Sequence, residues 1–84
     1  MKQYEIINVT DHYDNVKPQR IGRIIAPIES GDPLAVLTKD KSQVFYYVDG
    51  AGAFITSPLI SIMGDDKRTV MKTRNSIYTL RRVK

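Results

Sequence analysis

His12 is the single histidine of an 84-residue chain that contains no cysteine. Thiolate nucleophiles, thiolate metal sites and multi-histidine metal centres are therefore excluded. His-dependent acid–base chemistry is confined to this one position, with Asp11 and Asp14 close by in sequence. The plainer reading of His12 is a solvent-exposed loop histidine. Asp65 and Asp66 beside Gly64 offer two carboxylates, far short of the roughly six to eight oxygens that a calcium ion gathers, so a turn is expected there. Asp49-Gly50-Ala51-Gly52 lacks the G-x-x-x-x-G-K-[ST] pattern of a phosphate loop and reads as a hairpin turn. No clustered nucleophile remains, so an enzyme is not expected. No cofactor and no resident metal are implied.

The residue types that remain suit binding. Arg20-Ile21-Gly22-Arg23 places two arginines around a glycine, where backbone can approach a ligand closely and guanidinium can grip phosphate or carboxylate bidentately. The plain alternative is that both arginines pair with the acids of the preceding segment. Thr56-Ser57-Pro58 puts two hydroxyls in an otherwise apolar run, for a ligand or for an irregular backbone. Tyrosine is frequent (Tyr4, Tyr13, Tyr46, Tyr47 and Tyr78), and adjacent Tyr46 and Tyr47 must point to opposite sides of a strand. The outward one can stack on a base. The candidate ligand-binding set is Arg20, Arg23, Tyr47, Thr56, Ser57, Lys72 and Arg74.

The elements that must position these groups read as strands. Apolar content of 42% against 26% charged residues fits one folded domain spanning 1–84. β-branched and aromatic residues cluster in short runs between Gly, Pro, Asp and Asn, and no long run has helical spacing. Strands are expected over 3–9, 21–28, 34–38, 43–48, 53–63, 68–73 and 77–83. Breakers occupy 29–33 and charges 39–41, while 10–20 reads as a long loop. Pro58 lacks an N–H and marks an edge, a bulge or a break in its run. The expected fold is all-β: a small, strongly bent, SH3-like barrel of six to seven short antiparallel strands with a C-terminal meander. No run approaches the roughly 20 apolar residues of a membrane span, so a cytoplasmic protein is expected.

The last hairpin carries the charge. Taking Asn75-Ser76 as a two-residue turn sets Met71 opposite Leu80 and Thr73 opposite Tyr78. One face then carries Met71, Tyr78, Leu80, Thr69 and Thr73 and can bury. The other carries Arg68, Lys72, Arg74 and Arg81 among Val70, Ile77 and Val83. The chain's net charge of +4 hides a split: residues 1–66 sum to −3, and residues 67–84, which hold no acid, sum to +7. This plate is either a solvated outer face or a surface for an anionic partner.

The segments Ile55-Thr56-Ser57-Pro58-Leu59-Ile60 and Thr73-Arg74-Asn75-Ser76-Ile77-Tyr78-Thr79-Leu80 resemble small phage and prophage proteins of Gram-positive bacteria. Those commonly end in a T-S-x-[IV] strand followed by a T-x-N-S-x-Y-x-[LF] hairpin. The likeness covers about the C-terminal third and a similar opening at Tyr4-Glu5-Ile6-Ile7. It implies a non-catalytic inhibitor of host defence in the host cell cytoplasm, which sequesters a phosphorylated nucleotide signal or binds a host defence protein. The alternative is a nucleic-acid-binding β-barrel, its basic hairpin on the backbone and its tyrosines on bases. Edge strands of small barrels also make a homo-oligomer an expectation.

Overall fold

The computed structural model describes residues 2–27, 41–65 and 67–84. The β-branched and aromatic runs form seven strands: β1 (Tyr4–Thr10), β2 (Ile24–Pro27), β3 (Val44–Tyr47), β4 (Ala53–Ile55), β5 (Leu59–Gly64), β6 (Arg68–Thr73) and β7 (Ile77–Arg82). The one helical piece among the described residues is a 3-10 turn at Pro18–Arg20, opened by a proline whose φ is already set for it. The strand expected over 34–38 and the breakers over 29–33 lie outside the described residues, as do 39–40 and Asp66. The run expected over 53–63 is two strands, and Pro58 stands in the break between them.

All pairings are antiparallel, in the order β4-β3-β2-β1-β7-β6-β5. β4 and β5 therefore stand at opposite margins, yet only Thr56-Ser57-Pro58 joins them. A flat sheet of this order would put its margins about 29 Å apart, at roughly 4.8 Å per strand spacing. A three-residue link cannot bridge that, since an extended chain advances at most about 3.6 Å per residue. The sheet must curl until its margins nearly meet, and the backbone stitches them. Leu59 N–H at the start of β5 donates to Lys41 O ahead of β3 (3.0 Å), while Thr56 N–H adds one more rung to the β3–β4 ladder at Gln43 O (2.9 Å). The expected small, strongly bent, all-β barrel is what forms, not fully closed along this seam.

Two bulges drive the curl. The register slips at Ile7 in β1 and at Ile60 in β5, each leaving one residue without a cross-strand partner. A bulge bends its strand and raises local twist. It also resets which residues point inward. Strict alternation would send Asn8 inward after Tyr4 and Ile6; with Ile7 extra, Val9 takes that place and is 2% exposed. The core so built contains Tyr4, Ile6, Val9, Ile25, Phe45, Phe54, Leu59, Met71, Tyr78 and Leu80. Its aromatic part is a column in which Phe54 lies 5.5 Å from Phe45, 5.5 Å from Tyr47 and 6.1 Å from Tyr78, centroid to centroid. These are offset spacings that aromatic pairs favour.

The β6–β7 register differs from the expected one. Met71 faces Tyr78, Thr69 faces Leu80 and Lys72 faces Ile77, so the loop has four residues, 73–76, rather than two. The longer loop is held by Thr73, whose N–H and Oγ1 both donate to Ser76 O while Oγ1 accepts from Ser76 N–H. The expected faces survive because each partner moves by two residues, and side chains alternate with period two. Thr69, Met71, Thr73, Tyr78 and Leu80 are buried, whereas Arg68, Arg74 and Arg81 are exposed.

Candidate functional site

One end of the barrel gathers most of the groups with binding chemistry. The segment between β1 and β2 leaves the sheet at Asp11 and is folded back on itself. Asp11 Oδ1 accepts from the N–H groups of Tyr13 and Asn15 (2.8 and 3.0 Å), and Oδ2 accepts from Asn15 Nδ2. The Asn15 side-chain bond, with the backbone bonds of Asn15 and Tyr13, holds the Asp11 carboxyl below the usual carboxylate range. Lys17 N–H then returns to Val9 O (2.8 Å). The segment is thus a compact clasp laid over the β6–β7 turn.

Two side chains of the clasp reach that turn. His12 Nε2 donates to Thr73 O at 2.7 Å. Lys17 Nζ donates to Asn75 O at 2.9 Å and to Ser76 Oγ at 2.8 Å. His12 is exposed, as expected of a loop histidine, and its ring fastens the clasp to the turn. Between clasp and turn lies an open cleft of about 510 Å³, lined by Val9, Val16, Lys17, Pro18, Gln19, Arg20 and Ser76. That volume is in the range of small-molecule sites.

Arg20 forms the inner wall. Its Nε donates to Tyr47 Oη at 3.0 Å, and its Cζ lies 4.4 Å from the centroid of the Phe54 ring. The guanidinium is thereby fixed in orientation by a hydrogen bond and a cation–π contact. Its two terminal nitrogens have no partner among the described residues, and neither Arg20 nor Lys17 is ion-paired with a carboxylate there. Ser76 Oγ accepts from Lys17 and keeps its own hydrogen to give. The polar groups at the inner wall are the Arg20 fork, the remaining Lys17 N–H and the Ser76 hydroxyl. These three can donate, Gln19 adds an amide that both donates and accepts, and no acid lines the cleft.

The seven expected site residues divide. Arg20 lines the cleft, and Tyr47 accepts its hydrogen bond without being a lining residue. Arg23 stacks on the ring of the same tyrosine, its Cζ 3.9 Å from the Tyr47 centroid, and pairs with Asp49 at 3.1 Å. Asp49 in turn accepts from Ile24 N–H, the main reason its carboxyl is held below the usual range. Arg23 is therefore neutralised by the β3–β4 turn, not by the clasp, and Arg20 uses aromatic partners instead of acids. Thr56 is 3% exposed and its Oγ1 caps Gln43 N–H (2.9 Å), a structural role at the seam. Ser57 Oγ donates to Thr73 Oγ1 (2.8 Å) and accepts from Asn75 N–H (3.0 Å), tying the β4–β5 link to the β6–β7 turn. Arg74 is exposed in that turn, and Lys72 lies on the outer wall of β6, outside the cleft. Sequence reasoning missed Lys17 and Ser76. The signal for Lys17 was its place in the long loop directly before Pro18, with Arg20 one 3-10 turn further on. Ser76 carried no signal beyond its turn.

No protein-family model, no curated protein and no solved structure matches the chain. No helix among the described residues is long and apolar enough to cross a membrane, and no group of three or more His, Asp or Glu side chains there could hold a metal ion.

Proposed function

We propose that this is a non-catalytic binding protein that holds a small phosphorylated ligand in the cleft between the clasp and the β6–β7 turn. The observation that carries the reading is the donor-rich inner wall, which no acid lines. A guanidinium fork, an ammonium and a hydroxyl line the cleft with no carboxylate among the lining residues, beside the apolar surface of Val9, Val16 and Pro18. Charge-assisted hydrogen bonds from such groups favour an oxyanion, and the apolar wall suits the body attached to it. A phosphorylated nucleotide signal meets both demands. Taken with the likeness to phage and prophage proteins, the reading becomes a phage-encoded inhibitor that sequesters such a signal in the host cytoplasm.

Calorimetric titration with a panel of nucleoside monophosphates, nucleoside polyphosphates and cyclic dinucleotides tests this. At least one member binds the native protein. Ser76→Ala, which removes a single hydroxyl donor to a charged group, weakens it about 10-fold or more. If no member binds at millimolar concentration, or if Ser76→Ala and Lys17→Met leave affinity unchanged, the reading is wrong.

A further inference from the structure

The outer wall of β6 and β7 is a cationic surface, separate from the cleft. Across β1, β7 and β6 the register sets Glu5 opposite Arg81 and Arg81 opposite Arg68. Glu5 makes an ion pair with Arg81, so the row of three carries one neutralised and one unneutralised arginine. Like charges directly opposed on a sheet face cost stability. Arg68 has no acid partner among the described residues, because the nearby Asp65 carboxylate accepts from the backbone N–H groups of Lys67 and Arg68 instead. Four residues along β6 stands Lys72, and exposed Arg74 lies beyond it in the turn. Between the two cationic ends lie Val70, Thr79 and Ile77, apolar or neutral.

We infer that this wall docks on the phosphate backbone of a double-stranded nucleic acid. At roughly 3.3 Å per residue, Arg68 and Lys72 are about 13 Å apart along the strand. That is close to the approximately 12 Å width of the B-DNA major groove, so the two ends can meet phosphates on the two strands that border it. β5 and β1 flank the hairpin on either side, which prevents it from entering the groove as a two-stranded ribbon. It lies across the backbone and reads charge, not sequence. The face carries no aromatic residue, since Tyr78 points into the core and Tyr47 lies on β3, separated from β7 by two strands. Single-strand binding uses stacked bases on aromatic side chains. A single strand is therefore the poorer ligand, contrary to the expectation that tyrosines would assist the basic hairpin.

Fluorescence anisotropy with a 20-base-pair DNA duplex and its separated strand tests the inference over a salt series. Three unpaired cations (Arg68, Lys72 and Arg74) give a slope of log affinity on log salt near −2.7, a loss of about 40-fold between 50 and 200 mM. Arg68→Glu/Lys72→Glu abolishes the binding while the thermal midpoint stays near that of the native protein. Glu5→Gln removes a stabilising ion pair, yet it frees Arg81, so the duplex binds more tightly and the slope steepens by about one. A duplex that fails to bind at 50 mM salt overturns the proposal. So do tighter binding of the single strand, full competition by polyglutamate at equal charge, or a Glu5→Gln variant whose slope does not change.

Discussion

Substitution of Gly64 by alanine puts the bent fold itself to the test. Gly64 ends β5 opposite Thr69 and has φ +124°, a conformation that side-chain-bearing residues rarely adopt. Asp65 N–H donates to Arg68 O (2.9 Å), closing the β5–β6 turn immediately after it. A Cβ at position 64 would fall far inside van der Waals contact of that same Arg68 carbonyl oxygen and 3.0 Å from Thr69 Cα. Both are backbone atoms of the neighbouring strand, so no side chain can swing aside. The dihedral strain alone costs about 1–3 kcal/mol. Displacing the turn adds to it, for a total of about 3–4 kcal/mol. At about 4–8 °C per kcal/mol for a domain of this size, the thermal midpoint falls by roughly 12–32 °C. Gly22→Ala is the control. Gly22 also has positive φ (+87°), but a Cβ there meets nothing within 4 Å. Strain without collision costs about 1 kcal/mol, a fall of roughly 4–8 °C. Thermal melts followed by circular dichroism, with urea titrations alongside, give both values. Equal losses in the two variants, or a larger loss for Gly22→Ala, would refute the reasoning.

Two more outcomes follow from the polar groups. Thr73→Val keeps the volume of a fully buried side chain but strands the Ser57 hydroxyl and Ser76 N–H that its oxygen serves, a loss of about 1–3 kcal/mol in urea titration. Asp65, held below the usual 3.8 by bonds from the N–H groups of Arg68 and Lys67, contributes stability above its unfolded pKa. That contribution, with those of Asp11 and Asp49, is lost as pH falls below about 4 and through the lower folded values, so the melting temperature is flat from pH 5 to 7 and drops in acid. Asp65→Asn has a shallower acid limb.

The sequence made the strands and the two faces of the last hairpin legible, because alternation survives any two-residue slide. It could not reveal the slide, which depends on Thr73 closing a four-residue loop through its own hydroxyl. Nor could it reveal the bulges, since Ile7 and Ile60 look like any other strand residue. The cleft was half legible. Arg20 and Tyr47 stood out by type, but the partnership between Lys17 and Ser76 exists only because the clasp folds back across the sheet. Arg23 looked like a ligand group until the β3–β4 turn supplied Asp49.

The strand order also dictates when the molecule can assemble. Its middle pair, β1 with β7, joins residues nearly the whole chain apart: Tyr4 opposite Arg82, with Gln3 N–H bonded to Lys84 O. On a ribosome, β1 and β2 emerge first, while the strand that completes their sheet arrives last. The margins at β4 and β5 are made before the middle is filled. Pairings of such long sequence separation impose a high contact order and fold on the slower, millisecond-to-second scale. Until β7 is in place, the inner surface of β1 lacks the neighbour that covers it on that side.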